Sequence, residues 1–94
     1  MRIIGYLKDV ENAKVTVFKS GLRYIVKFED GFLEQSYKFL ESDYLKGIND
    51  IRNLIDAPFQ QAVSEQFERM RSMTRQLWER KLPTEEGEEW EEII

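Results

Sequence analysis

Two dipeptides, Ser20-Gly21 and Asp30-Gly31, punctuate a stretch of alternating apolar and polar residues, and they leave the chain few ways to fold. Asp-Gly between alternating runs is a strong hairpin signal, because a two-residue type I′ turn needs positive φ at both central positions. With Asp30-Gly31 as the turn, Glu29 faces Phe32. The pairs Phe28/Leu33, Val26/Gln35, Tyr24/Tyr37 and Leu22/Phe39 then share one face, and seven of those eight residues are apolar or aromatic. The opposite face reads Lys27/Glu34, Ile25/Ser36 and Arg23/Lys38. A slip of one residue would mix the two sets, so the pattern supports the register. Ser20-Gly21 predicts Val17 opposite Tyr24 and Val15 opposite Val26, with Phe18/Arg23, Thr16/Ile25 and Lys14/Lys27 on the other side. Both turns agree on a core face of Val15, Val17, Leu22, Tyr24, Val26, Phe28, Leu33, Tyr37 and Phe39, as a foldable sequence should.

Residues 2–8 predict a first strand with unclear alternation, since Ile3, Ile4, Tyr6 and Leu7 fall on both faces. An edge strand partly covered on both sides fits this. Beyond the hairpins the period changes. Ser42 or Asp43 is expected to cap a helix over 43–56, because Tyr44, Ile48, Ile51 and Ile55 recur at spacings of three and four. Pro58 disfavours helix at Ala57 but suits the first turn of a second helix over 58–81, with Phe59, Val63, Phe67, Met70, Leu77 and Trp78 at helical spacing. At 1.5 Å per residue that helix is ~36 Å long, whereas four strands ~4.8 Å apart make a sheet only ~15 Å wide. The helices are therefore expected to overhang it. The expected fold is α+β: a three- to four-stranded antiparallel β-meander (strands near 2–8, 14–19, 22–29 and 32–40) packed on one face by two C-terminal helices. It forms one domain over 1–82, and residues 83–94 are expected to be a disordered acidic tail.

Charge is placed unevenly. Residues 83–94 (PTEEGEEWEEII) hold six Glu and no Lys or Arg, so the net −4 divides into −6 there and +2 over the other 82 residues, with 14 basic and 12 acidic side chains. No apolar run approaches the ~18 residues that span a bilayer, and the first residues lack the apolar segment of a signal peptide, so a cytoplasmic protein without a membrane partner is expected. The chain has no Cys and no His. That removes disulfides, the usual zinc ligands and any Ser-His-Asp or Cys-His nucleophile within one chain. The five Gly are scattered and build no phosphate-cradling loop. A non-enzyme is expected, with no catalytic residues, no metal and no cofactor.

Three features remain as candidates for function. The open face of the sheet sets Lys14, Arg23, Lys27 and Lys38 beside Phe18 and Ile25. Such a face is a solvated surface, a subunit contact, or a groove where cations track phosphates and Phe18 stacks on a base. The long helix offers Met70, Met73 and Trp78, adaptable or anchoring side chains suited to a partner or dimer contact. The tail interrupts its Glu run with Trp90, Ile93 and Ile94, as a peptide that docks a basic groove would. Placed in cis over the basic sheet face, it would compete with an anionic ligand.

The stretch AKVTVFKSGLRYIVKFEDG, followed by SYKFLESDYLKGINDI, resembles the positive cofactor four/Whirly superfamily of single-stranded-DNA-binding proteins in its order of strands then helix. The resemblance covers residues 13–51. It implies a nucleic-acid surface on the sheet, with Lys14, Lys19, Arg23, Lys27 and Lys38 as binders, and helices that make a dimer. The second helix and the acidic tail depart from that pattern. Two functions are thus expected: a dimeric, non-enzymatic interaction module working through helix 58–81 and the tail, or a single-stranded nucleic-acid binder with the tail as competitor.

Overall fold

The computed structural model describes residues 1–8 and 12–81. Four strands form one antiparallel sheet: β1 (Arg2–Leu7), β2 (Lys14–Ser20), β3 (Arg23–Asp30) and β4 (Leu33–Leu40), side by side in chain order. Two helices follow, α1 (Ile48–Leu54) and α2 (Ala57–Lys81), and both pack on the same face. This is the α+β meander that the turns and periods predict.

Both hairpins differ from expectation by one step in the turn and two in the register. Ser20 pairs Arg23 and Asp30 pairs Leu33, so the loops are Gly21 with Leu22 and Gly31 with Phe32. Gly21 and Gly31 have φ of 59° and 64°, while Leu22 and Phe32 do not have positive φ. Glycine at the first central position is the type II′ arrangement, and it spares Ser20 and Asp30 the left-handed backbone that a type I′ turn would demand. Because strand side chains alternate with period two, this shift leaves the faces unchanged. Val17 now opposes Val26, Val15 opposes Phe28 and Val26 opposes Tyr37. The exception is Leu22, expected in the core and found in the turn at 70 % exposure.

β1 is an edge strand, and a bulge between Ile3 and Gly5 explains its unclear alternation. The extra residue puts Ile3 opposite Phe18 on the open face and lets Ile4 pack against the core. After it, Gly5 lies opposite Val17, and Ile48 of α1 fills the space a Cβ would take, with its Cδ1 3.0 Å from that position.

The first helix is shorter than predicted. Residues 42–45 form a tight bridge instead, with Leu45 buried and Tyr44 turned to solvent. Gly47, at φ 98°, cannot continue a helix, so α1 begins after it. Asp50 accepts a hydrogen bond from the Lys46 amide at 2.7 Å, and the Gly47 amide donates to the Tyr24 hydroxyl at 2.8 Å. The buried Tyr24 hydroxyl in turn donates to Glu41 at 3.3 Å. α2 is capped by Asp56, whose carboxylate accepts from the Phe59 amide at 3.0 Å, with Pro58 in the first turn.

The core lies between sheet and helices: Leu7, Val15, Val17, Tyr24, Val26 and Phe28 below, and Leu45, Ile51, Ile55, Val63 and Phe67 above. Phe28, Tyr37 and Phe59 form a cluster with ring centroids 5.1–6.0 Å apart. One buried polar side chain crosses the layers. Gln35 donates to the Val63 carbonyl of α2 at 3.0 Å and accepts from the Tyr37 hydroxyl. Burial raises the Tyr37 pKa above the usual phenol value.

Candidate functional site: the overhang of helix α2 and the open sheet face

The line of α2 that meets the sheet runs through Val63, Phe67 and Met70 and continues at the same spacing as Thr74, Leu77 and, beside it, Trp78. The sheet does not extend that far. Val63 and Phe67 are 3 % and 2 % exposed, Met70 is half-buried against the core, and every residue over 73–81 is exposed. Met73, Leu77 and Trp78 thus present a large apolar surface (62 %, 46 % and 51 % exposed) on a helix held rigidly by its first half. Phe32, at the tip of the β3–β4 turn, projects fully into solvent.

The turn and the overhang enclose a groove of about 430 Å³, walled by Gly31, Phe32 and Leu33 on one side and Thr74, Arg75 and Trp78 on the other. Its inner end is pinned by Arg71, which bonds Asp30 at 2.8 Å across the layers and Glu68 at 2.6 Å within the helix. Those hydrogen bonds, Glu68 first and then Asp30, raise the pKa of the Arg71 guanidinium and hold it charged. Arg75, one turn on, has no carboxylate within ion-pair distance among the described residues. Residues 69–81 carry five basic side chains and one acid, Glu79. An apolar groove with a cationic rim suits an acidic segment bearing an apolar anchor.

The open face gathers part of the predicted basic set. Lys14, Phe18, Arg23, Lys27 and Lys38 lie on it, with Ile3, Phe18, Ile25 and Lys38 side by side in one row across the strands. Lys27 is engaged by Glu29 and Glu34, each at 3.9 Å, and Lys14 lies over the Tyr6 ring at 6.0 Å. Lys19 is on the other side. It pairs with Tyr24, sits 5.0 Å from that ring's centroid and reaches Glu41 at 3.5 Å. Its place follows from alternation, since it shares parity with Val15 and Val17.

Of the partner candidates, Met73 and Trp78 stand on the overhang, Met70 belongs mainly to the core, and Trp90 and Ile94 lie outside the described residues. Phe32 and Leu77 join the site without having been singled out. The placement of Phe32 depended on the turn type. Leu77 was legible as a helical apolar residue lying where the sheet had already ended. Among the described residues no group of three or more acidic side chains is placed to hold a metal ion, and no helix is long and apolar enough to cross a membrane. Comparison with family models, with curated proteins and with solved structures finds no match.

Proposed function

We propose that this chain is a non-enzymatic interaction module that docks an acidic protein segment on the groove between the α2 overhang and the β3–β4 turn. One observation carries the reading: the apolar line of α2 runs out past the edge of the sheet, about half exposed and flanked by cations, beside an exposed Phe32. A helix end with no role in binding gains nothing from keeping Met73 and Leu77 in water, and exposed apolar surface of this kind marks interaction sites. Selection of a random peptide display library on the immobilised protein is expected to enrich acidic peptides with an aromatic or aliphatic residue. The variant Thr74→Glu/Arg75→Glu, on the helical wall of the groove, is expected to enrich none. A library that yields no sequence preference on either the native protein or its 1–82 form overturns the reading.

The same charge argues against pairing two overhangs in a dimer, since each would bring a surplus of four positive charges to the contact. A homodimer would instead use the open face, covering Ile3, Phe18 and Ile25. The second reading, a single-stranded nucleic-acid binder, claims that same face. It is favoured by Arg23 and Lys38 flanking Phe18 and Ile25 with no acidic partner among the described residues. Light scattering separates the two. A dimer that Phe18→Glu dissociates assigns the face to assembly. A monomer that binds single-stranded DNA at low salt, and loses it in Lys27→Glu/Lys38→Glu, assigns it to nucleic acid.

A further inference from the structure

The groove has an acidic, apolar-anchored segment within reach on the same chain. We propose that residues 83–94 of this protein occupy it in cis, so that the docking surface is self-occluded until an acidic partner competes. The inference rests on the reading of the groove as a docking surface and adds its regulation.

Three observations support it. The first is charge. The segment holds six Glu and no base, and it follows directly on the helix half with five basic side chains against one acid. The second is composition. Trp90, Ile93 and Ile94 supply apolar anchors of the kind the groove's walls, Phe32, Leu33 and Trp78, accept. The third is reach. α2 ends at Lys81, one turn beyond Trp78, and the inner end of the groove at Arg71 is ten residues back, ~15 Å along the helix axis. Twelve residues of extended chain span up to ~40 Å, so a reversal after Pro83 leaves ample length to bring Trp90 over Arg75. The open sheet face is the rival dock. It is the weaker one, because Lys27 already faces Glu29 and Glu34 and Lys19 lies on the opposite side.

The absence of Cys makes the test direct, since Gly87→Cys in the full chain gives a single attachment point for a nitroxide and leaves Trp90 and Ile94 intact. Amide signals of Gly31, Phe32 and Leu33 are expected to lose about half their intensity at low salt and to recover at ~0.5 M, where the screening length falls to roughly 4–5 Å. Adding Arg75→Glu to the labelled chain is expected to restore them at low salt. Signals in the last turn of α2 broaden for any tethered tail, so they serve as an internal reference. Unbroadened turn amides overturn the proposal, as does broadening that Arg75→Glu and salt leave unchanged. Stronger broadening at Arg23 and Lys38 moves the tail to the sheet and also overturns it. Broadening that appears only when nitroxide-bearing chains are mixed with isotope-labelled ones overturns the cis form. If the tail fails these tests while the display library still selects acidic peptides, the groove stands as a docking site and only its self-occlusion falls.

Discussion

α2 is one continuous helix with two unlike halves. Its first half carries Val63 and Phe67, both almost fully buried over the sheet, and a cap at Asp56. Its second half carries Met73, Leu77 and Trp78 at helical spacing at or beyond the sheet's edge, where they stay exposed. Apolar spacing alone therefore does not distinguish the halves; the width of the sheet does. A helix needs tertiary packing for most of its stability, and here one half supplies it for both. The second half inherits its conformation from the first, which lets it hold apolar side chains in water without collapsing onto the core.

If that division is right, equal truncations should have very unequal effects. Phe67→Ala is expected to cost ~3–5 kcal/mol, much of the stability of a domain this size, because it empties a site closed by both layers. A urea midpoint close to that of the native protein would mean the first half is not the anchor. The Gln35 bridge is the next strongest tie between helix and sheet. Gln35→Leu strands the Tyr37 hydroxyl without its acceptor and removes the bond to the Val63 carbonyl, and is expected to cost ~1–3 kcal/mol.

The same cluster sets an alkaline limit. Burial raises the Tyr37 pKa in the folded state, so the fold keeps this proton to higher pH than the unfolded chain does. Its contribution is whole below the ordinary value of about 10 and is lost as pH rises through the raised folded value. Stability above pH 10 should therefore fall less steeply in Tyr37→Phe than in the native protein; parallel pH profiles would remove Tyr37 from the account.

Much of this architecture was legible in the sequence, for reasons that also explain the misses. Faces were readable because alternation survives any shift by two, so Val15, Val17, Tyr24, Val26 and Phe28 were placed in the core despite the wrong turn type. Turn type was not readable from the dipeptides, because Gly serves both as the second residue of a type I′ turn and as the first of a type II′ turn. That ambiguity misassigned Leu22 and hid Phe32. Gly47 carried the signal that shortened α1, and the apolar spacing of Tyr44 and Ile48 outweighed it. For the candidate site, the overhang followed from length arithmetic, but the groove needed the position of a turn more than 40 residues away in sequence. A smaller effect checks the turn assignment. Gly31→Ala places its Cβ in open space at φ 64°, so only the backbone pays, and a loss of ~1 kcal/mol is expected. No loss would indicate a turn that can relax.

The smallest stability effect bears most on function. Thr74→Glu with Arg75→Glu changes two exposed helix positions on the groove wall to a residue of equal or better helix propensity, and it adds acids to a strongly basic segment. Its urea midpoint should correspond to a change within ~0.5 kcal/mol of native. A loss approaching that of Phe67→Ala would show these side chains buried against something in solution, and the overhang would have to be redrawn as an interface already filled. Unchanged stability together with loss of peptide selection separates folding from binding along a single helix. That pair of results is the sharpest form of the contrast, because the two halves share one continuous helix and differ in how much sheet lies beneath them.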